Sequence, residues 1–147
     1  MKSISMQTIT RKLFFAFAAS IMIFYVSSCA RKISFEDSSV VPGASGTVKV
    51  KKDKNNNYDI QISLSNLAKP DKLQPSKHSY VVWMETADNV TKNIGLINTS
   101  SGFLGGKLKS SFETVSPSKP TKIYLTAEDD VAVQFPGTQV ILSTNNF

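Results

Sequence analysis

From residue 46 onward, apolar and polar side chains alternate with a period of two, the repeat of a strand with one face buried and one wet. Residues 46–52 run Gly-Thr-Val-Lys-Val-Lys-Lys, and 58–65 run Tyr-Asp-Ile-Gln-Ile-Ser-Leu-Ser. The turn residues Asp53, Asn55, Asn56 and Asn57 separate them, so the two segments read as a hairpin. Residues 79–86 break the alternation. Tyr80-Val81-Val82-Trp83-Met84 is an unbroken apolar run with no helical period, which predicts a strand buried on both faces. Asp88 and Asn89 then turn the chain into a further strand over 90–97. Weaker alternation predicts a strand at 107–113, and further strands are read at 121–128, with Ile123, Leu125 and Ala127 on the core face, and at 139–144, separated by Pro117, Pro120 and the turn Pro136-Gly137. About seven short strands without an amphipathic helix predict an all-β domain over 46–147. The expected architecture is an antiparallel β-sandwich, immunoglobulin-like in its strand number.

The first 28 residues follow a different pattern. Lys2, Arg11 and Lys12 precede a nearly continuous apolar stretch over 13–25, the layout of a secretory signal rather than of a bilayer span, which needs roughly 20 apolar residues. Val26-Ser27-Ser28-Cys29 closes that stretch and resembles the bacterial lipobox. The resemblance implies cleavage before Cys29 and acylation of its thiol with chains such as palmitate. The partner so implied is a membrane, reached through the lipid on Cys29. Ala30 rather than Asp follows the Cys, which favours the Gram-negative outer membrane over the inner one. Residues 29–45, rich in Ser and Gly, are expected to be a tether.

Composition narrows the function classes. One Cys rules out an internal disulfide, and one His rules out a multi-histidine metal site. Removing the signal leaves 14 basic and 11 acidic residues, a surplus too small to argue for nucleic acid. No cofactor is expected.

The candidate sites are each modest. Glu128, Asp129 and Asp130 are consecutive carboxylates that could hold a calcium ion, but they lack calcium-loop spacing and read first as an acidic turn. His78 has no nucleophile-elbow serine to serve, so it reads as a surface strand residue. Tyr80 and Trp83 suggest either an exposed aromatic platform or, more commonly in a sandwich, a core Trp with a Tyr at its rim. Lys49, Lys51, Lys52 and Lys54 form a wet face that discourages edge-to-edge pairing or meets an anionic partner such as lipopolysaccharide or membrane. Residues 98–107 only superficially resemble a phosphate loop, because Ser101 replaces its first Gly and Leu108 its hydroxyl. The triplets at Asn89 and Asn98 match the glycosylation pattern by chance.

Tyr80-x-x-Trp83, Ile94-Gly95, Thr126-x-Glu128, Pro136-Gly137 and Val140-Ile141-Leu142 together resemble the C-terminal domain of anti-sigma-K factors. That resemblance implies a small extracytoplasmic β-sandwich whose matching residues are structural. The sequence departs from the family where sigma binding would reside. Only about 12 polar residues precede the apolar segment, and Cys29 implies cleavage. The expected function is therefore a non-enzymatic, lipid-anchored interaction or sensing module, with another envelope protein or a glycan as partner. A structural or adhesion subunit of the cell surface is the alternative, and a small envelope hydrolase a more distant one.

Overall fold

The computed structural model describes residues 30–97 and 109–147. The signal segment, the lipobox Val26–Cys29 and the phosphate-loop-like connector fall outside the described residues. Among the described residues, eight strands build two four-stranded antiparallel sheets. They are β1 (Arg31–Ser34), β2 (Ser45–Lys52), β3 (Tyr58–Ser65), β4 (Ser79–Thr86), β5 (Thr91–Ile97), β6 (Lys109–Ser116), β7 (Pro120–Glu128) and β8 (Val140–Ser143). The first sheet has the order β1-β2-β3-β6 and the second β5-β4-β7-β8. The only helical turn among the described residues is a short 3₁₀ segment, Pro70–Lys72.

The alternation read from the sequence places the core between the sheets. Val48, Ile60, Ile62 and Leu64 point inward from the first sheet. Tyr80, Val82, Met84, Ile123 and Leu125 meet them from the second. All nine are at most 2% exposed, so this interior is dry. The inward phenol of Tyr80 donates to the Ala68 carbonyl at 2.9 Å, which satisfies its one polar atom.

Among the described residues the regular ladder breaks at three places, all in the second sheet. The register of β4 and β5 shifts between Val82 and Trp83, where the chain bulges through Asn93, Ile94 and Gly95. Gly95 has φ of +141°, and a Cβ there would lie 2.6 Å from the Phe112 ring of β6. Gly is thus required both by its backbone and by the ring that crosses it from the other sheet.

The sandwich begins earlier than the sequence pattern indicated. Residues 29–45 were expected to be a tether, but β1 pairs with β2 from Arg31↔Val50 to Ser34↔Thr47. Phe35 then bridges to Thr144, and the Glu36 amide donates to the Ser143 carbonyl at 2.8 Å. The chain so passes from the first sheet to the edge of the second and covers the gap between them. Val41 and Ala44 are buried along this path. The physical reason is the exposed sandwich edge, whose unpaired backbone groups and apolar interior this segment covers.

Candidate functional site

Strand β4 lies in the middle of the second sheet and is covered on both sides. Its inner residues enter the main core. Its outer residues Val81 and Trp83 pack with Tyr124 of β7 into a separate cluster, against which Val133 lies. Trp83 and Tyr80 are both fully buried, but on opposite faces of the sheet. They form no exposed platform, and Tyr80 is not a rim for Trp83.

The cover on the outer face is the segment 129–139, which runs back across the sheet between β7 and β8. Three kinds of contact fasten it. Val133 packs on the Trp83 cluster. The Asn93 side-chain amide, set by the β5 bulge, donates to the Val131 and Val133 carbonyls at 3.3 Å each. Glu128 Oε1 accepts from the Gly137 amide at 2.7 Å.

Glu128 is the polar centre of this region. It is only 7% exposed, as the third member of the outward row Tyr124, Thr126, Glu128. Trp83 Nε1 donates to Thr126 Oγ1 at 2.7 Å, and that hydroxyl donates onward to Glu128 Oε1 at 2.5 Å. Thr126 thus acts as acceptor and donor in one chain, which is the full use of a hydroxyl with a single proton. A carboxylate buried to this degree is tolerated because its oxygen receives two strong donors. The chain also explains Gly137, where a Cβ would sit 2.7 Å and 2.9 Å from the two carboxylate oxygens.

Beside this carboxylate opens a cleft of about 800 Å³ at the end of the sandwich. Ser39 and Val40 wall it on one side, Gln74, Pro75 and Lys77 on another, and Glu128 with the residues 137–140 on the third. Gln139 Oε1 is buried without a hydrogen-bond partner. Lys77, the cation at the mouth, is held by Asp129 at 2.7 Å. The lining residues offer donors and acceptors together, the Gln74 amide and the Ser39 and Thr138 hydroxyls beside the Glu128 carboxylate, and a ligand whose own groups both donate and accept complements them.

The three consecutive carboxylates do not converge. Glu128 turns into the brace, Asp129 turns to Lys77, and Asp130 accepts from the Ala132 amide at 2.9 Å in a local turn. Among the described residues no group of three or more potential metal-ligating side chains comes together. His78 is exposed, and its Nδ1 meets the Asp129 carbonyl at 3.1 Å. A carbonyl only accepts, so that nitrogen carries the proton and the ring serves as a brace for the start of the cover.

Four residues quoted for the family resemblance, Trp83, Thr126, Glu128 and Gly137, thus meet in one hydrogen-bonded chain. Their spacing in sequence marks a structural brace. The cleft residues Gln74 and Gln139 had no sequence signal, because an isolated Gln in a loop or at a strand end is unremarkable. No family model, curated protein or solved structure matches this chain.

Proposed function

We propose that this protein is a lipoprotein of a Gram-negative envelope, attached through acylated Cys29 and serving as a non-enzymatic binding or sensing module. The lipobox pattern Val26-Ser27-Ser28-Cys29 supports the attachment, and Ala30 favours the outer membrane. The binding site in this reading is the cleft beside Glu128. One observation carries it: an open cleft of about 800 Å³ beside the Glu128 carboxylate, with polar side chains on every wall.

The ligand class that fits is a hydroxyl-rich glycan of the envelope, since sugar hydroxyls both donate and accept, as the polar groups of this lining do. The likeness to the anti-sigma-K C-terminal domain agrees with a module of this kind, whose family-like residues build the brace under the site. Trp83, the only Trp in the chain, is linked to Glu128 through Thr126, so it reports on the cleft. Titrating envelope saccharide fragments into the full chain should shift its emission. Gln74→Leu, at an exposed residue of the cleft wall, should weaken binding about tenfold, the loss expected for one hydrogen bond to a neutral group. Unchanged emission across peptidoglycan and lipopolysaccharide fragments would reject a glycan, and binding indifferent to Gln74→Leu would reject the cleft.

A further inference from the structure

The two ends of the sandwich differ in charge, and the difference bears on how the domain sits on its membrane. Strand β1 starts at Arg31, two residues after Cys29. Two residues of chain span at most about 7 Å. Arg31 is paired to Val50 within the sheet, so no slack follows it.

The same end carries Lys52 and Lys54 at the β2–β3 turn and Lys119 between β6 and β7, all exposed. Between them lies an apolar slot of about 180 Å³, with Val50, Tyr58, Pro120 and Phe147 along its walls. The Arg31 guanidinium stands 5.6 Å from the centre of the Phe147 ring, and Lys52 Nζ 5.9 Å from that of Tyr58. Apolar walls with a cationic rim suit the boundary between lipid headgroups and acyl chains.

The anions at this end are largely occupied. Asp53 accepts from the Asn55 and Asn57 amides of its own turn, Asp59 lies opposite Lys51, and Glu85 is 4.0 Å from Lys122. Asp88 alone remains among the exposed turn residues. The opposite end has no such surplus: Glu36, Asp37, Asp71 and Asp130 are exposed there beside Lys69, Lys72 and Lys109, and Lys77 is spent on Asp129.

We infer that the Arg31 end is a docking face for the anionic headgroup surface of the membrane, which stands the domain upright with the Glu128 cleft directed away from the bilayer. This rests on the attachment of Cys29 proposed above. With strands of eight or nine residues, the cleft then stands roughly 25–30 Å above the surface.

The test uses the full chain matured in cells and reconstituted into vesicles of phosphatidylcholine, alone or with phosphatidylglycerol. The mass of the N-terminal peptide first establishes whether Cys29 carries lipid; a mature chain without it overturns both the attachment and the docking. With the lipid present, a water-soluble amine-acylating reagent is applied and each lysine is quantified. Lys52 and Lys119 should be protected in anionic vesicles relative to Lys69 and Lys72 at the other end. The protection should fade at high salt as the surface charge is screened. Lys119→Glu should raise labelling of Lys52 by at least about fivefold, the effect of losing one cation near an anionic surface. Equal labelling of both ends in both vesicle types, on a lipidated chain, would overturn the docking and leave the attachment intact.

Discussion

The two faces of β4 bury similar amounts of side chain by different means. On the inner face, Tyr80, Val82 and Met84 meet another sheet, and the contact is a row of apolar side chains repeated at every second position. On the outer face, Val81 and Trp83 meet a loop, which cannot supply such a row. It is fastened at a few points instead: Val133, the Asn93 amide and the Gly137–Glu128 bond. A sheet spreads its stabilisation over many equivalent contacts. A loop concentrates it in a few polar ones, and these can double as part of a binding site.

The largest effect is expected on the inner side. Leu125→Ala removes a fully buried side chain and should destabilise the fold by about 2–5 kcal/mol, read from the urea midpoint. Both sheets should melt together, because the cavity lies between them.

The next effect is alkaline. Burial, with Asp71 adding to it, pushes the Tyr80 phenol up to about 12. The unfolded chain releases that proton near pH 10 and the folded chain does not. Stability is thus full below pH 10 and falls as pH rises from 10 towards 12, by about 2–3 kcal/mol in total. Burial also raises Tyr124, which adds a loss of the same sign. Tyr80→Phe should flatten the larger part of this slope in unfolding measured against pH, and an unchanged slope would place the titration elsewhere.

On the outer side, Thr126→Val keeps the shape but cuts the link between Trp83 and Glu128. It should cost about 1–3 kcal/mol through the unsatisfied indole N–H. Its signature is local: the Gly137 amide should exchange faster with solvent while amides in β3 and β4 keep their protection. Uniform acceleration would mean that the cover and the core are one cooperative unit.

The smallest effect is expected at Phe135, on the same cover and 81% exposed. Phe135→Ser should change stability by less than about 0.5 kcal/mol in the same urea titration.

The strands were legible because alternation is a direct record of facing a dry and a wet side. The run Tyr80–Met84 even indicated that β4 is covered twice. What covers it was not legible. Val131 and Val133 sit among Asp, Gln, Pro and Gly, and such a segment has no period to reveal its role. β1 was hidden for a related reason: in Arg-Lys-Ile-Ser only Ile33 faces inward, and one apolar residue makes no pattern. The cleft depends on atoms brought together from residues 39, 74, 128 and 139, and sequence spacing carries no trace of that convergence.

The short β1 has a mechanical consequence. Its hydrogen bonds to β2 lie across the strand direction, and so does the bridge from Phe35 to Thr144. A pull applied at residue 30 along the strand axis therefore strains all of these bonds at once, in shear, instead of opening them one at a time. Arg31–Ser34, pinned to the first sheet, and Phe35 and Glu36, pinned to the second, so act as a clamp. Tension between the start of the domain and whatever holds its far end is carried by the whole sandwich before any strand can peel away.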